Sequence, residues 1–282
     1  MQRAIRRYWP LFVLPTMLAW LIGFGAPFVM GLYLSFCDFT TLADATFVGL
    51  ANYVRAFGDA TGEFFHSLGY TALFALLSTA VINVLALVVA LFLVRGFRGV
   101  NVFRTVFFLP NLIGGIVLGW LWQVILNGVL SRFGATLVTS EWYGFAGLML
   151  VVTWQQLGYM MIIYIAGLKS IPEDVMEAAA IDGASAWQTF RHVKFPMLMP
   201  SVTICTFLTL TNGFKLFDQN LALTGGMPSN RSQLLALNIY STFYGRAGWA
   251  GAGQAKAVVF CVLVVSIALL QLRLTRTREV QQ

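Results

Sequence analysis

Two clusters of polar side chains interrupt otherwise apolar sequence. The first is Trp154-Gln155-Gln156 with Gly158 and Tyr159. The second is Thr209, Asn212, Gly213 and Lys215, with Asp218 just beyond. Amides, hydroxyls and an ammonium group exchange hydrogen bonds, and aromatic faces stack on rings. Inside apolar segments such groups face a bundle interior or a cavity. This is recognition chemistry rather than reaction chemistry. His66 and His192 lie far apart, no carboxylate dyad is presented, and no G-x-x-x-x-G-K-[ST] phosphate loop occurs. Cys37, Cys205 and Cys261 sit in or beside apolar stretches without C-x-x-C spacing or a His partner. That argues against a disulfide framework or a metal site. An integral membrane enzyme is therefore a poor fit. An ion-coupled secondary transporter fits little better, because the apolar runs hold almost no acidic residues.

Several of these residues have a purely structural alternative. Trp154 and Tyr159 fit packing, and Trp120, Trp122 and Gln123 fit an interfacial aromatic belt. Asn83 fits a hydrogen bond between helices. Lys215 and Asp218, three apart, fit a pair on one helix face.

The elements that must position these groups follow from composition. The 282 residues are 59% hydrophobic and 10% charged, with a mean hydropathy of +0.78. A soluble domain carries about a quarter charged residues. A bilayer, unlike water, accepts the apolar excess as surface. Crossing it takes about 20 mostly apolar residues per helix, and such runs occur at 11–36, 69–94, 103–126, 145–168, 197–217 and 253–272. Each is expected to be a helix, since backbone groups in lipid must be satisfied internally. The third contains Pro110, Gly114, Gly115 and Gly119, which point to a kink, close packing or a broken segment. The first follows Arg3, Arg6 and Arg7 but is too long for a signal-peptide core and lacks a small-x-small site. It is expected to be an uncleaved spanning helix.

The net charge of +7 sits at the edges of the apolar runs, as membrane anchors do, rather than in a nucleic-acid-binding patch. With the amino terminus inside, one side carries Arg3, Arg6 and Arg7; Arg95, Arg98 and Arg104; Lys169, Arg191 and Lys194; and Arg273, Arg276 and Arg278. The other side holds half as many: Arg55, Arg132, Lys215, Arg231, Arg246 and Lys256. The bias places both termini in the cytoplasm.

The connection at 169–196, KSIPEDVMEAAAIDGASAWQTFRHVKFP, differs from the others. Ser170 is placed to cap a helix, Pro172 suits a first turn, and Glu173 and Asp174 suit the positive helix end. Glu177 and Ala178 to Ala180 favour helix, and Gly183 is placed to end it. A second short amphipathic stretch follows, read with Trp187 and Phe190 on one side and Arg191 and Lys194 on another. The pattern specifies helix, turn, helix. On physical grounds it could lie on the headgroups or present a knob to a partner.

Glu177-Ala178-Ala179, three residues, Gly183, nine residues, Val193, one residue, Phe195-Pro196 resembles the EAA loop of bacterial ABC-importer permeases. Only two apolar exchanges depart from that pattern, Val193 for Ile and Phe195 for Leu. Val48-Gly49-Leu50-Ala51-Asn52-Tyr53, Leu223-Thr224-Gly225-Gly226-Met227-Pro228 and Arg104-Thr105-Val106-Phe107-Phe108-Leu109-Pro110-Asn111 are similar to segments of sugar-importer permeases. The likeness extends over 45–275 and is nearest the larger permease of maltose and multiple-sugar importers. That protein's extra amino-terminal helices and external domain have no counterpart in these residues.

The resemblance implies an all-α, six-helix type I importer permease, forming one membrane domain in a bacterial cytoplasmic membrane. It implies no catalytic role and no cofactor on this chain. ATP and magnesium belong to two ATP-binding subunits, and a second permease and an extracytoplasmic sugar-binding protein complete the importer. Glu177, Ala178, Ala179, Asp182 and Gly183 are the implied ATPase-docking residues. By the same likeness Trp154, Gln155, Gln156, Gly158, Tyr159, Thr209, Asn212, Gly213 and Lys215 are candidates for a sugar pathway.

Overall fold

The computed structural model describes Trp9, 13–58 and 62–276. Arg3, Arg6, Arg7 and Arg278, expected as anchors, lie outside these residues, as do the first two residues of the 11–36 run. The described chain holds five helices long and apolar enough to cross a membrane, and six if one bent pair counts as a single span. It divides into two compact units. One comprises residues up to Gly62 with Ile239–Val262, the other Glu63–Asn238 with residues from Leu263 onward.

In the first unit, α1 (Val13–Leu34) is almost entirely exposed, as a lipid-facing helix is. Trp20, Phe24 and Phe28 follow one another along it with centroids 5.7 Å apart, the first pair tilted and the second stacked. A short hairpin follows, β1 (Cys37–Asp38) against β2 (Thr46–Phe47), with Cys37 opposite Phe47. Asp44 accepts from the Thr41 and Thr40 amides at 2.7 and 3.0 Å, which holds its carboxyl below the usual range. The Val48–Tyr53 segment turns through Gly49 at φ 62° into α2 (Ala51–Phe57). Buried Asn52 donates to the carbonyls of Ser35 and Cys37 at 3.1 and 2.7 Å, so this segment is a bracket that ties the hairpin down.

The second unit is built on α3 (Glu63–Leu93) and α6 (Glu141–Lys169). They pack against each other around Phe74, Ile82, Leu148, Met160 and Tyr164. The 103–126 run does not form one helix. Its residues fall in α4 (Val100–Phe108), a 3₁₀ turn at Leu109–Leu112, and α5 (Gly115–Leu130). Pro110 has no N–H to continue the ladder, and Ile113 and Gly114 are extended with ψ 129° and 140°. The segment long and apolar enough to span is Gly115–Phe133.

After α6 come α7 (Glu173–Ile181), α8 (Ala186–Met197) and α9 (Met199–Lys215). The last two bend by 66° around Pro196 and Pro200. α10 (Asp218–Leu223) then packs on α5, where a Cβ at Gly119 would meet the Ala222 Cβ at 2.8 Å. The remaining helices are α11 (Leu235–Gly245) and α12 (Ala250–Arg276).

Two local expectations need correction. Ser170 does not cap α7. It closes α6, donating to Gly167 O at 2.9 Å, because α6 runs through Lys169; Pro172 itself stands at the start of α7. Lys194 does not face away from Trp187 and Phe190. All three line one cavity, the chain passing through a wider π turn at Phe190–Lys194.

Candidate functional site

Two breaks in regular structure, facing the unbroken α6, frame a polar cavity of about 430 Å³ in the second unit. The 3₁₀ turn contributes Asn111, α6 contributes Gln155 and Gln156, and the end of α9 contributes Asn212 and Lys215. The extended link adds Leu216 and Phe217, and the start of α10 adds Asp218 and Gln219. The link exists because α9 stops at Lys215, Leu216 is extended with ψ 120°, and α10 starts two residues later.

Three amides form the wall. Gln219 Nε2 donates to Gln155 Oε1 at 2.6 Å, and Gln155 Nε2 donates to Ile113 O at 3.0 Å. The chain of bonds ends on a carbonyl freed by the α4–α5 break. Gln155 and Gln156 are each only 8% exposed, and Gln156 Oε1 has no partner. A buried acceptor without a partner costs about 1–3 kcal/mol. Lys215 and Asp218 are exposed and form no ion pair with each other. They stand on different helices, not on one face as their spacing allowed.

The candidate pathway residues therefore separate. Gln155, Gln156, Asn212 and Lys215 converge on the cavity. Trp154 packs edge-on against Trp122 at 5.5 Å, and Tyr159 does not line the cavity. Gly158 lets α4 touch α6: a Cβ there would collide with the Phe107 carbonyl. Gly213 does the same between α9 and α3, its Cβ position lying 2.9 Å from Ala75 Cα. Thr209 is tied into a three-helix bridge. Asn83 donates to Thr209 Oγ1 at 2.9 Å, and Tyr164 donates to Asn83 Oδ1 at 2.8 Å. Asn83 is thus a bond between helices. Asn111 and Gln219 were not singled out by sequence reasoning. Their one signal was an amide directly after Pro110 and another just past an apolar run.

The second candidate site is the α7 turn. Ala179 is buried, while Glu177, Ala178, Asp182 and Gly183 are exposed, and Ile181 is 86% exposed. Gly183 takes φ 74°, and the Ala184 amide donates back to Ala179 O at 3.0 Å. This is a glycine-closed helix end. Ser185 and Gln188 cap α8 reciprocally, so hydrogen bonds close the turn on both sides of its exposed apex.

Residues 82–279 match the family described as binding-protein-dependent transport system inner membrane component. The chain belongs to that family. It is a membrane component of a transport system and not an enzyme in its own right. A probable starch degradation products transport system permease protein of Thermoanaerobacterium thermosulfurigenes is 44% identical over 97% of this chain and 95% of its own length. A multiple sugar-binding transport system permease protein of Streptococcus mutans is 30% identical over 99% of each chain. The fold is that of a chain in a bacterial ABC transporter involved in alginate import, with a TM-score of 0.82 at 21% identity over 98% of each.

Proposed function

We propose that this chain is a permease subunit of an ATP-driven sugar importer. It forms half of the translocation pathway and docks a cytoplasmic ATPase through the α7 turn. The observation that carries the pathway is the convergence of Gln155, Gln156, Asn212 and Lys215 on one cavity with an unpartnered buried amide oxygen. Uncharged amides backed by a cationic and an anionic group at the mouth suit a polyhydroxylated, neutral ligand. The 44% and 30% identical relatives, named as permeases for starch degradation products and for multiple sugars, support oligosaccharides as that ligand.

Glu177, Ala178, Asp182 and Gly183 form the docking surface, with Ala179 buried beneath it. Ala178 and Gly183 leave room for a groove to approach, and Glu177 offers a carboxylate to a basic residue or helix end. The basic bias of the connections supports a cytoplasmic α7 and cytoplasmic termini. The partners are a second permease, two ATP-binding subunits that hold ATP and magnesium, and an extracytoplasmic sugar-binding protein. The test is uptake of radiolabelled malto-oligosaccharides by cells carrying the complete importer. Gln156→Ala and Asn212→Ala should raise the transport KM with the protein still inserted at normal level. Unchanged uptake in both variants would remove the cavity from the pathway.

A further inference from the structure

A second cavity, of about 780 Å³, lies behind α7. It is larger than the polar cavity and differs from it in chemistry. Its inner wall is α3, where Val84, Leu87, Val88 and Leu91 form a continuous apolar strip down to Val94. At 1.5 Å per residue that strip is about 15 Å long, enough to lie along much of a fatty-acyl chain. The far wall is Met176 of α7 with Trp187 and Phe190 of α8, whose rings stack at 5.7 Å.

The rim is charged. Arg95, Lys169 and Lys194 come from three different elements and line the cavity together with one carboxylate, Glu173. None of the four makes an ion pair or side-chain hydrogen bond among the described residues. Two net positive charges therefore stand over an apolar slot that opens at the end of two spanning helices. A neutral apolar helix would leave those charges without a counterpart, and a soluble anion would leave the strip unused. An anion attached to hydrocarbon satisfies both.

We propose that this cavity binds an anionic glycerophospholipid from the leaflet on the α7 side. Its phosphate sits among Arg95, Lys169 and Lys194, and an acyl chain lies on the Val84–Leu91 strip. Because Glu173 and Met176 belong to α7 itself, the lipid stands directly behind the exposed turn and stiffens it against the spans. The site does not depend on which substrate is carried.

The test is native mass spectrometry of the full chain released from detergent micelles with dioleoylphosphatidylglycerol or dioleoylphosphatidylcholine. The glycerol lipid should be retained and the choline lipid lost. The triple variant Arg95→Gln, Lys169→Gln, Lys194→Gln should reduce retention roughly 150-fold, the equivalent of three positive charges at about 1 kcal/mol each. Glu173→Gln should instead raise it roughly fivefold, a gain that misfolding cannot imitate. Free glycerol phosphate at millimolar concentration should not displace the lipid. Equal retention of both lipids, or no change in either variant, would overturn the proposal, and displacement by glycerol phosphate alone would make the site one for a soluble anion. No ATPase or sugar enters the measurement, so its failure is separate from failure of the importer reading.

Discussion

Gln219 Nε2 donates to Gln155 Oε1 at 2.6 Å, joining the first turn of α10 to the middle of α6. Both side chains are only 8% exposed. The bond holds the loop after α9 against the helix that carries the neighbouring acceptor, Gln156. Replacing Gln219 with Leu removes the donor and leaves Gln155 Oε1 buried and unpaired, at a cost of about 1–3 kcal/mol. The expected outcome is transport weakened roughly tenfold, seen as a KM increase in sugar uptake. Gln155→Leu, Gln219→Leu together should recover nothing, because the Ile113 carbonyl then loses its donor as well.

The residues outside the cavity should respond differently. Asn83→Ala breaks the bridge among α3, α6 and α9. Hydrogen bonds of this kind in membranes contribute about 0.6 kcal/mol on average. A lower unfolding temperature with an unchanged transport KM is expected. A KM change without a stability change would move Asn83 into the pathway.

Gly158→Ala places a methyl group against the Phe107 backbone, where no flexible side chain can yield. Overpacking of this kind costs about 1–3 kcal/mol. The variant should show reduced thermal stability, measured by the temperature at which detergent-solubilised protein aggregates. Gly69→Ala, whose Cβ meets nothing within 4 Å, should not.

How much of this was legible beforehand depended on range. The α7 turn was readable because its chemistry is local: helix-forming alanines, Gly183 to close, and a fixed spacing to Pro196. The separation of the polar clusters was not. Gly158 and Gly213 share their segments with cavity residues, and only the packed structure shows that one meets the Phe107 carbonyl and the other Ala75. Asn111 and Gln219 were passed over for the same reason. They reach the cavity because Pro110 breaks one run and Leu216 ends another, and a sequence does not state where the chain goes after a break. Ser170 was assigned to the wrong helix because a serine between two helical segments can serve either end.

Gly183 holds φ 74°, a conformation that costs an ordinary residue about 1–2 kcal/mol. Gly183→Val should distort the exposed apex without disturbing the polar cavity. Its expected signature is binding protein that still docks and an ATPase that no longer responds. That combination can be read by pull-down and phosphate release on the same preparation.

In the proposed importer, sugar recognition outside drives an ATPase through α7. The direct measurement is phosphate release by the complete importer in proteoliposomes, with binding protein and each of a panel of sugars added in turn. The predicted result is stimulation by the binding protein loaded with its sugar, lost when Glu177 and Gly183 are replaced by Ala and Val. Stimulation that persists in that double variant, or an ATPase indifferent to every sugar-loaded binding protein, would contradict it.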